Sequence, residues 1–422
     1  MKLNRIALAV ALASLSIGAH ATNGYFSHGY GMKAKGMAGV ATTSTDDAFF
    51  GANNPAAAAF AGNRMELGAD LFSPIREASN TGGGLAFASA ESDSEYFLIP
   101  EFGYNRMVNN NLALGVTVYG NGGMNTDYPG AAAFGNTNML GGTGSLGVDL
   151  MQLIVAPTVA YKVAPNHSIG ISPLLGYQRF AATGIQPFAG MSTSPSNVSE
   201  NGHDDAFGYG VRVGYLGKIT PTVTIGAAYA STMNFEEFDA YKGLFAEQGD
   251  FDIPENYNLG VSWQATPALR LAFDYQRINY SDVNSVGNPV LPNLSNGLGS
   301  DNGPGFGWDD VDVWKLGVEY KYNKAWTLRA GYSHANNPIS GSNCSTMSNC
   351  GEVMFNILAP AVVENHATLG FTYTLASGNE LTVAYMHAFQ NEASGVRPGF
   401  GGGIDKIEMY QNSLGIQYSW KM

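Results

Sequence analysis

The sequence predicts an all-β fold, a transmembrane antiparallel β-barrel of about fourteen strands with an N-terminal hatch inside the lumen. Three observations lead there. Segments with one apolar face and one small or polar face recur along the chain, with aromatic residues near their ends. Tight turns and long loops alternate between these segments, as in single-chain bacterial barrels. Only 13% of residues are charged, while 12% are aromatic and Gly numbers 54. A soluble chain carries about a quarter charged residues. Past the leader no run of eighteen apolar residues exists, so spanning helices are excluded. A closed barrel is the other spanning architecture, because hydrocarbon offers no hydrogen bonds to an open sheet edge. A soluble sandwich or propeller would also alternate. Its polar faces, however, would not be so small and uncharged.

Residues 1–21 read as a secretory signal peptide, with Lys2 and Arg5 in a basic start, an apolar run Ile6–Gly18 and the cleavage site Ala19-His20-Ala21. Residues 22–62 read as the hatch. They lack period-2 alternation, are rich in Gly and Ala, and offer two short helical turns. Asn54 is placed to cap a turn that Pro55 opens and Ala56 continues. Asp46 and Asp47 are placed where a short helix would begin, a favourable position for carboxylates. Residues 63–422 read as the barrel. Clear alternation runs through Asn111–Gly120, Thr222–Ala230, Leu269–Gln276, Trp326–Ser333 and Ser413–Trp420. Tight turns fall at 108–111, 164–167, 218–222, 265–268, 323–325 and 377–379, and long loops at 73–95, 121–147, 183–203, 233–254, 281–310, 337–363 and 391–405. Tyr418 and Trp420 put aromatics at the rim near the end, where Lys421 and Met422 follow.

Net charge is −13, which argues against nucleic acid as a partner. Cys344 and Cys350 lie close together in one loop, and in an exported chain a local disulfide is the favoured reading. They have no nearby His to complete a tetrahedral metal set, and no metal or cofactor is expected. No histidine sits in a nucleophile elbow, a zinc-protease helix or a paired-carboxylate setting, so no catalytic residue is assigned. In the loop 233–250, Phe235, Phe238, Leu244 and Phe245 are spaced to share one face of a short helix. An apolar patch in such a loop is either a cap over the barrel mouth or a landing site for an apolar ligand. Gly115 and Gly120 sit in the third strand, where Gly marks a kink or makes room for the plug.

A leader, the Gly-rich start Thr22-Asn23-Gly24-Tyr25-Phe26-Ser27-His28-Gly29-Tyr30-Gly31, then Asp46-Asp47-Ala48 and Asn54-Pro55-Ala56 before the strands, resembles the FadL/TodX family. The resemblance covers essentially the whole mature chain. It implies a bacterial outer-membrane transporter of long-chain fatty acids or of aromatic hydrocarbons. The ligand would enter through external loops, bind above the hatch and leave sideways at a kinked strand. Gln178-Arg179-Phe180 looks like a family stretch, and Arg179 is the first candidate for a ligand carboxylate, since Arg pairs bidentately with one. Implied partners are the lipid and lipopolysaccharide of the outer membrane and a hydrophobic small molecule, with the protein a monomer. A water-filled porin, an adhesin or phage receptor built on the long loops, and a surface hydrolase are the rival readings.

Overall fold

The structure, a computed structural model, describes residues 23–84, 89–339, 351–399 and 401–422. The leader, Cys344 and Cys350 lie outside the described residues. All strands belong to one sheet, in which each strand hydrogen-bonds to its sequence neighbours and the last pairs with the first. Two short strands, Ser89–Glu91 and Asn234–Phe235, ride on longer ones. The wall itself has fourteen: β1 (Arg64–Thr81), β2 (Phe97–Met107), β3 (Leu112–Asn125), β4 (Gly147–Ala164), β5 (His167–Thr183), β6 (Asp204–Lys218), β7 (Val223–Ala230), β8 (Asn256–Gln264), β9 (Leu269–Ile278), β10 (Val311–Lys321), β11 (Trp326–Ala335), β12 (Asn365–Thr374), β13 (Glu380–Val396) and β14 (Ile404–Lys421). Closure runs from Arg64↔Lys421 to Thr81↔Ile404. No edge is left at that seam to satisfy with water.

Side chains alternate across the wall, and the usual arrangement of a soluble protein is inverted. Leu259, Val261 and Trp263 of β8 face out, as do Leu414 and Ile416 of β14. Asp70, Glu101, Gln152, Ser172, Asp274, Glu319 and Gln417 face in and are buried. Aromatics collect in two outward girdles. Trp326 and Tyr373 (4.9 Å between ring centres) and Tyr418 and Trp420 (4.6 Å) mark the turn end, while Tyr275 and Trp314 (4.6 Å) mark the other. Such girdles sit at the two interfaces of a bilayer.

β1 runs to Thr81 and β13 to Val396, well into stretches expected as loops. Above the apolar band both faces of these strands turn polar. Alternation disappears from the sequence there while backbone pairing continues.

Residues 23–62 occupy the lumen and touch the wall on all sides. They hold only short turns, Met32–Lys35 and Pro55–Ala61, so most of their backbone groups need outside partners. Inward side chains provide them. Met32 N donates to Gln417 (2.9 Å), Ala38 N to Thr368 (2.8 Å), Ala41 N and Thr42 N to Asp274 (2.8 Å each) and Ala48 N to Glu66 (2.7 Å). Lys35 bridges Asp70 at 2.6 Å and Glu101 at 3.3 Å, and Lys33 meets Glu380 at 2.8 Å. Wall glycines allow the close approach: a Cβ on Gly170 would lie 2.4 Å from the Pro55 carbonyl carbon.

Candidate ligand-binding site

Two layers fill the lumen. The layer around Lys33, Lys35, Asp46 and Asp274 is polar. The layer at the loop end is apolar, and five loops contribute to it. Its centre is a slot lined by Phe180 of β5 with Leu244, Phe245, Phe188, Phe306 and Phe355 from the loops. Phe180 lies 4.7 Å from Phe245 and 4.8 Å from Tyr241, and Phe188 lies 5.4 Å from Phe355, ring centre to ring centre. Open space between the rings is about 30 Å³, room for little more than a water molecule. The rings would have to part to admit anything larger.

Aromatic contacts continue from the slot to the N-terminal segment. Phe306 meets Trp308 at 6.0 Å, Trp308 meets Tyr25 at 5.9 Å and Tyr280 at 5.1 Å, and Tyr25 meets Phe251 at 5.9 Å. Tyr280 fixes that segment. Its hydroxyl accepts from Tyr25 N (3.1 Å) and Phe26 N (3.3 Å) and donates to Asn23 O (2.5 Å). Burial, and next its neighbour Asp252, push the Asp250 carboxyl beside Phe251 up to about 7.

Beyond Tyr25 and Phe26 the wall is incomplete. β2 and β3 pair only from Met107↔Ala113 to Phe102↔Val118. Past that point Phe97–Glu101 pairs with β1 alone and Tyr119–Asn125 with β4 alone. The register of β3 against β4 slips between Gly120 and Gly122, so β3 bends away from β2. Pro100, which has no N–H to leave unpaired, lies in the stretch so exposed. The gap is bounded above, where Asp93 N bonds to Asp127 O (2.8 Å) and Arg76 bonds to the carbonyls of Ser94 and Asn125.

The N-terminal segment seals this gap from inside. Phe26 bridges Gly122, Ser27 N donates to Asn121 O (3.1 Å), and Gly123 N donates to Tyr25 O (3.2 Å). The Tyr30 ring stands 4.7 Å from Tyr119, and its hydroxyl donates to Asn121 O at 3.0 Å. Only Gly permits this contact, since a Cβ on Gly122 would fall 1.7 Å from Tyr25 O.

The residues singled out from sequence distribute as follows. Phe180, Leu244 and Phe245 line the slot, and Phe238 stacks behind Phe180 at 5.6 Å. Phe235 packs elsewhere, against Gly176 and Gly208 of the wall. These loop residues do not share one helix. The segment is broken into the short strand, a turn at Asp239–Tyr241 and a single turn at Ala246–Gly249. Burial of Phe238 and Phe245 in the aromatic layer fixes them, not helical periodicity.

Arg179 faces outward and is exposed, opposite Asp205 of β6. Its buried neighbours Gln178 and Phe180 take the inward positions of β5, so Arg179 does not reach the lumen. Gly120 sits at the register slip. Gly115 lies in paired strand and makes room for the hatch, with a would-be Cβ 2.5 Å from the Phe50 ring.

Asn54 caps as expected, accepting from Ala56 N at 3.1 Å, with Pro55 opening the turn. Its amide also donates to Thr42 O (2.8 Å) and Tyr215 O (3.0 Å), tying hatch to wall. Asp46 and Asp47 begin no helix. Asp46 is placed by Lys33 (3.5 Å) and Arg329 (3.6 Å) instead. Burial, then Glu66 and Asp46, push the Asp47 carboxyl up to about 7.

The sequence reading missed Tyr25, Phe26, Tyr280, Trp308, Phe306 and Phe355. Their signal was present: large aromatics within loops otherwise rich in Gly, Asn and Ser.

Residues 10–401 match the family described as outer membrane protein transport protein (OMPP1/FadL/TodX). The chain belongs to this family. As a FadL/TodX protein it resides in the bacterial outer membrane, its loop end external and its turn end periplasmic. No curated protein sequence matches it. Three solved structures share the fold. The P. putida toluene transporter TodX has 19% identity and a TM-score of 0.68, over 94% of this chain and 99% of that one. A Pseudomonas aeruginosa FadL homologue has 16% identity and a TM-score of 0.71 over the same shares. The Ralstonia pickettii toluene transporter TbuX has 19% identity and a TM-score of 0.64, again over 94% and 99%.

Proposed function

We propose that this protein imports a small neutral hydrophobic compound, which passes from the external aromatic slot along the Tyr25–Phe26 layer and leaves sideways through the β2–β3 gap into the membrane. The observation that carries the reading is the gap itself, sealed by the same residues that floor the aromatic layer. An apolar solute that reaches Tyr25 gains nothing by entering periplasmic water when hydrocarbon lies beside it.

Neutrality follows from the lining of the slot. It is apolar apart from one serine and holds no cation, and an unpaired carboxylate is costly to bury there. The narrowness of the slot favours a small ligand. By their names, the P. putida and R. pickettii relatives transport toluene.

The hatch is held below by hydrogen bonds and ion pairs, many to charged groups and worth about 1.5–3 kcal/mol each. The upper part, Tyr25–Ser27, is held by neutral backbone bonds instead, so that part is suited to shifting when a ligand wedges between Tyr25 and Trp308. The protein acts as a monomer. Outer-membrane lipid surrounds its apolar band, and lipopolysaccharide surrounds the external rim.

A second reading, uptake of a long-chain fatty acid, is favoured by one observation. Arg212 and Lys315 are buried beneath the aromatic layer, and neither makes an ion pair within 4.0 Å among the described residues. A longer ligand would carry its carboxylate down to them.

The test locks the seal. A Ser27→Cys/Asn121→Cys pair joins the segment to β3 where their backbones already bond. In proteoliposomes, oxidation should stop uptake of labelled toluene and reduction should restore it, with the parent protein unaffected by either treatment. Undiminished uptake in the oxidised variant would sink the sideways route.

A further inference from the structure

Among the described residues the apolar slot is lined by a single polar side chain, Ser285, and no contact within the described fold uses it. Ser285 is 1% exposed and lines the slot beside Pro304, Gly305 and Phe306. Its Oγ is buried without a hydrogen-bond partner among the described residues. A buried hydroxyl with no partner is destabilising by more than a hydrogen bond contributes when made, so a residue that serves only packing would be better as Ala. The other described side chains of the lining are apolar, so none of them supplies a partner.

The charged side chain packed behind this wall is an acid. Glu352 is 2% exposed, with its Cγ 2.4 Å from the position a Cβ on Gly307 would take. An anionic ligand would meet no cation among the described residues that line the slot. A pure hydrocarbon would fill the slot and leave the hydroxyl unpaired. A neutral molecule with one hydroxyl or carbonyl on an apolar body satisfies both requirements.

We propose that Ser285 is the specificity-determining residue of the slot, and that the slot selects neutral ligands with one hydrogen-bonding oxygen, such as a phenol, an aryl alcohol or an aryl ketone, over hydrocarbons of equal size. The proposal rests on the reading of the slot as the ligand site. Hydroxyl recognition in a dry pocket discriminates more strongly than a methylene does, because the unmatched ligand leaves a buried polar group unpaired. The slot is small and ring-lined, which suits a monoaromatic body.

The experiment uses the full mature chain in lipid nanodiscs, free of competing detergent. Equilibrium binding is measured for p-cresol, p-xylene and 4-methylbenzoate. The parent protein should bind p-cresol about tenfold more tightly than p-xylene and 4-methylbenzoate more weakly than both. Ser285→Ala should abolish the preference while p-xylene binds as before, and Ser285→Thr, which keeps the hydroxyl, should restore it. Heat-modifiable electrophoretic mobility shows that each variant has closed its barrel. Equal binding of p-cresol and p-xylene by the parent, or a preference that survives in Ser285→Ala, overturns the proposal and leaves the transport reading intact. Failure of every neutral probe to bind saturably overturns both.

Discussion

Asp47 is a carboxyl whose environment opposes its charge. It is 5% exposed, its Oδ1 accepts from Phe49 N at 2.9 Å, and Glu66 and Asp46 stand near it. Its pKa rises from an ordinary 3.8 to about 7, so the folded protein binds the proton more tightly than the unfolded chain does. The associated stability is present at low pH and is lost as pH climbs between those two values. Asp47→Asn keeps the acceptor and removes the charge. It should raise stability at pH 8 by on the order of 1–3 kcal/mol and leave it unchanged at pH 4, as read by urea unfolding in lipid vesicles. Parallel pH profiles for the two proteins would show that Asp47 is ionised when packed. This residue was visible in the sequence as part of a pair, but its burial and the approach of Glu66 from the start of β1 are set only by the fold. Arg179 shows the opposite case. Strict alternation with Phe180 places one of the two outside without saying which, and the rim stayed open to Arg179 until burial of Phe180 decided it.

At the scale of elements, strands and tight turns were legible because period-2 alternation is a local property of the sequence. The tight turns between β2 and β3, β4 and β5, β8 and β9, and β10 and β11 fall where breaks in alternation put them. The ends of β1 and β13 were not legible, since beyond the apolar band nothing distinguishes a polar strand from a loop. The wall gap was half legible. Glycines announced a bend in β3, but loss of pairing with β2 depends on where two registers stop matching. Gly122 is the residue on which this junction turns. Gly122→Ala drives a methyl into Tyr25 O and should push Tyr25–Ser27 off β3. A cysteine placed at Ser27 should then react with a membrane-impermeant maleimide at least several-fold faster than in the Gly122 parent. Unchanged labelling would mean that the segment is held by Tyr280 alone.

For the whole molecule, the inverted distribution of polarity makes the N-terminal segment part of the electrostatic design of the lumen. Lys35 lies between Asp70 and Glu101, and Lys33 reaches Glu380. Deleting residues 22–62 while keeping residues 1–21 would remove these partners and leave ionised groups facing an empty core, which water would fill. The deleted protein should therefore conduct ions openly in planar bilayers, where the full chain conducts little. A deletion variant as tight as its parent would show that the external loops, not this segment, close the pore. The overall class was readable from low charge, aromatic content and the rhythm of connections. The aromatic layer was readable only in part, through Phe180, Phe238, Leu244 and Phe245, because its other members are scattered over further loops and meet only in three dimensions.

The seam between β1 and β14 also dictates an order of events during biogenesis. On one side Arg64 pairs with Asn105, but on the seam side its partner is Lys421, so the circle closes after nearly the entire chain has been made. Until then the N-terminal segment has no interior to occupy, and its bonds to Gln417, Thr368 and Glu380 wait for strands that arrive last. Contacts so distant in sequence make folding slow. The segment made first must be enclosed last, so a kinetic delay during which Tyr25, Phe26 and Phe50 remain uncovered is built into the topology, and escort of the unfolded chain to the membrane becomes a requirement of the fold.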